Sequence, residues 1–157
     1  MDRIIKYLNK NNQTISTMES ASGGYLASCI TNISGSSLVF KFGAVTYSNE
    51  FKIKMGVSKE IINEYSVYSL ETARDMSFKI SEFTNSNYGV GVTGKINSKD
   101  PNNNFGDDST IYLSIYDRVN NKYYTKVVNA KNTSREENKK LIVFEFINLF
   151  KENIIKE

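Results

Sequence analysis

Two serines and two glycines stand together within the run Thr17-Met18-Glu19-Ser20-Ala21-Ser22-Gly23-Gly24-Tyr25-Leu26-Ala27. Hydroxyls beside bare backbone amides are the parts that nucleophilic chemistry on a carbonyl or a phosphate needs: an alcohol to attack, and N–H donors for the oxygen that gains charge. Ahead of them, Thr14-Ile15-Ser16-Thr17-Met18 alternates polar and apolar residues and predicts a short strand. Behind them, Tyr25, Leu26, Cys29 and Ile30 recur at helical spacing. The serines therefore fall at a strand-to-helix turn, where unpaired amides and the positive end of the helix dipole favour anions. Read locally, the same pattern also describes an ordinary turn, with Ser22 as helix N-cap and Gly23-Gly24 easing the backbone.

The chain contains no histidine. A Ser-His-Asp triad, a Cys-His pair and a His-ligated zinc are therefore excluded within it. An activated serine must use Lys, Tyr or a carboxylate as its base. A length of 157 residues suits one domain, spanning 1–157, with a single core. The net charge of +3 comes from interspersed acidic and basic residues, so a nucleic-acid partner is not expected. One cysteine excludes an internal disulfide and fits a reducing compartment. No apolar run reaches membrane-spanning length and the start of the chain lacks a signal-peptide core, so a cytoplasmic protein without a membrane partner is expected.

The elements that must position the serines follow from periodicity. Asp2 to Lys10 reads as a helix with Ile4, Ile5 and Leu8 on one face. The helix after the serine turn closes near Asn32, and Ser34-Gly35-Ser36-Ser37 is a turn. Leu38 to Tyr47 predicts a strand bent at Gly43. Short helices follow, one capped by Ser48 or Asn49 and ending at Gly56, the next over Ser58, Ile61 and Ile62. Leu70 to Phe83 is a longer helix with Ala73, Met76, Phe78 and Ile80 towards the core. Tyr88-Gly89-Val90-Gly91-Val92 is a buried strand whose glycines admit a neighbouring backbone. Lys95 to Asp108 is the longest irregular stretch and contains the only proline; a loop of that length is functional or mobile. Ile111–Tyr116 and Tyr123–Val128 pair across Asn120-Asn121, and a helix from Ser134 to Phe150 opens on a Ser134/Glu137 capping-box pattern. The order predicts a three-layer α/β/α fold with a mixed, mainly parallel sheet.

Two motif matches are rejected. Gly89-x-Gly91-x-x-Gly94 fits a dinucleotide fingerprint and Gly94-Lys95 the end of a P-loop. The glycines fall inside a strand, no helix pattern follows, and Ile96 stands where Ser or Thr is required. Thr93-Gly94 remain candidates for lining a site, since ligands bind at the carboxyl ends of strands in open α/β sheets. Cys29, on the apolar side of its helix, reads as core.

Three ordered blocks carry a resemblance. Thr17-Met18-Glu19-Ser20-Ala21-Ser22-Gly23-Gly24 is similar to T-A-E-S-C-T-G-G. Gly35-Ser36-Ser37, Phe40 and Val45-Thr46-Tyr47-Ser48-Asn49-Glu50-Phe51-Lys52 match G-S-S, an aromatic and V-x-Y-x-N-x-x-K, and Met55-Gly56-Val57 stands for L-G-V. Together they resemble the CinA C-terminal domain family, which includes nicotinamide mononucleotide deamidases of the PncC type. Later blocks depart from it: T-G-I-A-G-P becomes Thr93-Gly94-Lys95-Ile96-Asn97-Ser98, G-A-V-S becomes Ser66-Val67-Tyr68-Ser69, and K-P-V-G is absent around Gly106-Asp107-Asp108-Ser109.

The resemblance implies an α/β/α domain, a homo-oligomer, that hydrolyses the carboxamide of nicotinamide mononucleotide without metal or cofactor. Ser20 is then the nucleophile, with amides around Ser22, Gly23 and Gly24 as oxyanion donors. Lys52 is the base, because it alone among Lys52, Lys54 and Lys59 occupies the N-x-x-K position; desolvation would have to lower its pKa. Tyr47 relays the proton or holds the Ser20 hydroxyl, while Glu19 and Asn49 orient the lysine or bind substrate. The missing later blocks motivate an alternative, a nucleotide-binding or interaction protein that keeps the fold without turnover.

Overall fold

The computed structural model describes residues 1–104 and 106–156; Phe105, inside the irregular stretch expected at 95–108, and Glu157 lie outside the described residues. The elements run α1 (Asp2–Lys10), β1 (Ile15–Glu19), α2 (Tyr25–Thr31), a 3-10 turn (Ser36–Leu38), β2 (Phe40–Val45), α3 (Asn49–Lys54), α4 (Lys59–Tyr65), α5 (Leu70–Thr84), β3 (Tyr88–Gly94), β4 (Thr110–Asp117), β5 (Lys122–Asn129) and α6 (Arg135–Phe150), with a π-turn at Lys151–Ile155. The five strands form one sheet in the order β2-β1-β3-β4-β5. β1 is parallel to both β2 and β3, and β4 is antiparallel to β3 and β5, so β4 alone runs against the rest. This is the mixed α/β architecture that the order of elements predicts.

Helices α1, α2 and α6 cover one face through Ile5, Leu8, Leu26, Ile142, Phe146 and Phe150, packed on Val90, Val92 and Leu113 of the sheet. Helix α5, joined by α4, covers the other through Met76 and Ile80 against Met18. β1 is buried along its whole length, as a central strand between two helical layers must be. Caps fix the helix starts: Ser69 Oγ accepts from Thr72 N at 3.1 Å and Ser134 Oγ from Glu137 N at 3.1 Å. The Glu137 side chain pairs with Lys140, so only half of the expected capping box forms. Phe78, expected in the core, is half-buried and stands edge-on to Tyr116 with ring centroids 5.0 Å apart.

The glycines of β3 act as expected. A Cβ on Gly89 would lie 1.9 Å from the Ser77 carbonyl oxygen, and one on Gly91 2.3 Å from that of Ala73. Helix α5 therefore rests with its backbone on the strand. The expected bend in β2 is present as a shift in register against β1 between Phe40 and Gly43. The strand stops at Val45 rather than Tyr47, because the chain turns there towards α3; Thr46 N still donates to the Glu19 carbonyl oxygen at 2.8 Å.

Candidate active site

The chain leaves β1 towards β2 and returns on the other side of β1 as β3, so a crevice opens at the carboxyl ends of these three parallel strands. Ser20 sits there. Its amide donates to the Val92 carbonyl at 2.9 Å, which keeps it in sheet register, and its own carbonyl accepts from Gly23 N at 2.9 Å. Gly23 and Gly24 have φ of +59° and +92°, the left-handed geometry that this tight turn requires. Among the described residues, no group accepts from the amides of Ala21, Ser22 and Gly24.

Glu19 does other work than expected. Side chains alternate along a strand, so Glu19 is delivered to the α2 face and Ser20 to the opposite one. The Glu19 carboxylate, 1% exposed, accepts from Ser22 Oγ at 2.7 Å, Leu26 N at 2.9 Å and Ala27 N at 3.0 Å. It caps α2 and does not orient Lys52. Ser22 is correspondingly not the cap: its hydroxyl is a donor to Glu19, and Gly24 holds the N-cap position. A carboxylate serves two helix amides at once and meets the positive end of the dipole, which one hydroxyl cannot match.

Lys52 reaches the crevice from α3, whose start is capped by Ser48 Oγ accepting from Phe51 N at 3.2 Å. The side chain is 2% exposed, and Nζ donates to Ser20 Oγ at 3.1 Å and to the Thr46 carbonyl at 2.7 Å. Burial pushes its pKa down to about 8, against the opposing pull of the Asp100 charge. About one lysine in ten is then a neutral amine at pH 7. Lys54 instead points to solvent and pairs with Glu50, and Lys59 is exposed.

The pair lies on the wall of a cavity of about 460 Å³, a size suited to a small-molecule ligand. Asn49 lines it and donates to Asn103 Oδ1 at 3.0 Å. Tyr47 is at the rim, 67% exposed, with its hydroxyl accepting from Arg135 at 3.4 Å rather than bonded to Ser20 or Lys52. Thr93 and Gly94 do not line the cavity: Thr93 Oγ1 donates to the Val67 carbonyl at 2.9 Å, and Gly94 is pressed on β4, where a Cβ would be 2.5 Å from Ile111 Cα. Ser22, Gly23 and Gly24 also stand off its wall.

Residues that periodicity did not mark complete the wall. Lys95, 4% exposed, lies 3.3 Å from the Asp108 carboxylate and 4.9 Å from the centroid of the Tyr68 ring. Tyr68 donates its hydroxyl to Asp100. Arg135, at the start of α6, donates to the Ile96 carbonyl at 3.0 Å. With Lys95, Lys99 and Arg135 against Asp100, the cavity carries an excess of positive charge and favours an anionic ligand. A larger cavity of about 530 Å³ between β5 and α6 has no nucleophile paired with a base. Among the described residues, no three His, Cys, Asp or Glu side chains gather to hold a metal, and no helix is long and apolar enough to cross a membrane.

Residues 1–154 match the model of the CinA C-terminal domain. The chain is 38% identical over 113 residues to a CinA-like protein of Flavobacterium psychrophilum, an alignment covering 70% of this chain and 26% of that protein. It spans between 21% and 30% of the length of such curated relatives. The crystal structure of the competence/damage inducible protein CihA from Agrobacterium tumefaciens superposes with a TM-score of 0.81 at 28% identity, covering 94% of this chain and 91% of that one. The competence damage-inducible protein A of Klebsiella pneumoniae shares the fold, with a TM-score of 0.86 at 20% identity over 97% and 92% of the two chains. The chain belongs to the CinA C-terminal domain family.

Proposed function

We propose that the chain is an amidase that hydrolyses the carboxamide of nicotinamide mononucleotide, giving nicotinate mononucleotide and ammonia. The observation that carries this reading is the hydroxyl of Ser20 at 3.1 Å from a buried lysine amine whose pKa burial lowers to about 8. Ser20 Oγ attacks the carboxamide carbon while its proton passes to Lys52 Nζ. The carbonyl oxygen takes up the negative charge; the amide of Ala21, next to the nucleophile in the chain and without an acceptor among the described residues, is the donor assigned to it, since Ser22, Gly23 and Gly24 stand off the cavity. Lys52 returns the proton to the departing nitrogen, the C–N bond breaks, and ammonia leaves an ester on Ser20. Water then attacks the ester, giving its proton to Lys52, and the carboxylate product and the serine hydroxyl are restored. The Thr46 carbonyl holds one N–H of Lys52 throughout, so the amine does not rotate away from Ser20.

The cationic wall supports a substrate with a phosphate. Lys95, Lys99 and Arg135 present that charge, and Tyr47 steadies Arg135 at the rim. The test is ammonia release from nicotinamide mononucleotide by the purified protein. Ser20→Ala abolishes release while leaving the unfolding transition in place; undiminished release by that variant overturns the reading. One observation favours a second reading, nucleotide binding without turnover: Lys95-Ile96-Asn97-Ser98 replaces the family's I-A-G-P at the cavity. Calorimetric binding of nicotinamide mononucleotide by a protein that releases no ammonia would establish it.

A further inference from the structure

Tyr68 and Lys95 stand at two of the places where the sequence departs from the family pattern, in Ser66-Val67-Tyr68-Ser69 for G-A-V-S and at Lys95 in place of the I of T-G-I-A-G-P. The two side chains meet in space, the ammonium of Lys95 lying over the Tyr68 ring. Tyr68 then donates its hydroxyl to Asp100, on the loop that leaves β3. Asp100 Oδ2 also accepts from Asn103 Nδ2 at 2.8 Å, and Oδ1 from Asn102 N at 2.9 Å. Asn103 is in turn bonded to Asn49, three residues before Lys52 on α3. A carboxylate is thus fixed on the cavity wall from two sides. These donors hold the Asp100 carboxyl below the usual range, the Tyr68 hydroxyl first among them, so it is ionised at neutral pH.

The groups facing Lys52 across the cavity come from every element around it: Ser20 after β1, Tyr47 before α3, Tyr68 before α5, Lys95, Lys99 and Asp100 after β3, and Arg135 of α6. Asp100 is the one carboxylate among these lining residues. Lys95 is paired with Asp108 at 3.3 Å, so the burial of the amine, with Lys99 and Arg135 on the same wall, opposes a proton on Lys52, and the Asp100 charge favours it. We propose that Asp100, positioned by Tyr68 and Asn103, is the counter-charge of Lys52: the carboxylate that stabilises the ammonium formed when the amine takes the Ser20 proton. Its catalytic meaning rests on the amidase reading. The pairing of charges does not. Tyr68 acts through Asp100 and is a positioning residue.

The test is the titration of Lys52 by the pH dependence of its 13Cε shift in lysine-labelled protein, assigned with Lys52→Met, together with the pH profile of kcat/KM for ammonia release. Asp100→Asn removes the charge at the same volume; its NH2 no longer accepts from Asn102 N or from Tyr68 and Asn103, so urea unfolding is followed beside the titration to show that the fold is kept. The Lys52 midpoint then moves to lower pH by about half a unit, and the lower arm of the rate profile moves with it. A base weaker by half a unit also lowers the plateau of kcat about 2- to 3-fold. Tyr68→Phe shifts the midpoint in the same direction by a smaller amount. A midpoint unmoved in Asp100→Asn overturns the pairing, even where the wild type releases ammonia. A midpoint that moves in a protein releasing no ammonia upholds the pairing and removes the amidase reading.

Discussion

Replacing Lys52 by methionine is expected to make the protein more stable and, on the amidase reading, to abolish ammonia release. Folding takes the lysine from an ordinary pKa of 10.5 to about 8 through burial. A difference of about 2.5 units corresponds to about 3 kcal/mol, since each unit is about 1.4 kcal/mol. The folded-state value lies below the unfolded one, so the cost is fully present below pH 8. Between pH 8 and 10.5 the unfolded chain still holds the proton that the folded chain has released, and wild-type stability rises with pH. Above pH 10.5 the cost is gone. Methionine has similar length and no charge to desolvate, but it leaves the Thr46 carbonyl without its donor, a loss of about 1 kcal/mol. The net gain at pH 7 is about 2 kcal/mol, or about 4–8 °C in Tm for a chain of this size. Near pH 10.5 the order inverts, with the variant less stable by about 1 kcal/mol. Urea and thermal unfolding at pH 7 and pH 10.5 measure both, and the tyrosines titrate in both proteins and cancel in the difference. A variant less stable than wild type at pH 7, or a difference that does not change with pH, would refute the argument that Lys52 is held against its own solvation.

Two further substitutions test the frame around the site. Gly91→Ala places a methyl 2.3 Å from the Ala73 carbonyl oxygen and 2.8 Å from Ser77 N, and is expected to cost about 3 kcal/mol or more in urea unfolding; a loss below about 1 kcal/mol would mean that α5 yields easily. Glu19→Gln turns an amide donor towards helix amides that need acceptors, costing about 2–3 kcal/mol. Hydrogen exchange at Leu26 and Ala27 should then accelerate, and unchanged protection there would show that Glu19 does not hold the start of α2.

The frame was legible where one period dominates. Ile4, Ile5 and Leu8 mark α1, and the glycines of β3 mark a close approach because nothing else tolerates it. The spacing of Ser20 and Lys52 became meaningful only through the ordered blocks around them; local pattern does not distinguish Lys52 from Lys54. The cap of α2 was misread because Ser22 is the customary capping type, while the true acceptor, Glu19, stands on the preceding strand. For Tyr68, Asp100, Lys95 and Arg135 the sequence carries no signal of a shared site: Tyr68 and Lys95 stand out only as departures from the family blocks, Asp100 only as part of a long irregular stretch, and Arg135 not at all. Three of them lie outside the regular elements and the fourth in the first turn of a helix, and what brings them together is the crevice at the strand ends, which has no period in the chain.

The seat of α5 on Gly89 and Gly91 reaches further than packing. At Gly89 and Gly91 peptide groups of the helix lie directly on the strand, and Met76 and Ile80 pack beside them on Met18 of β1. Ser69 and Tyr68, at the leading end of α5, take their distance from the sheet from that seat. Two missing methyl groups thus set a ruler between the sheet and the Tyr68 wall of the crevice, read at residues that do not line the crevice themselves.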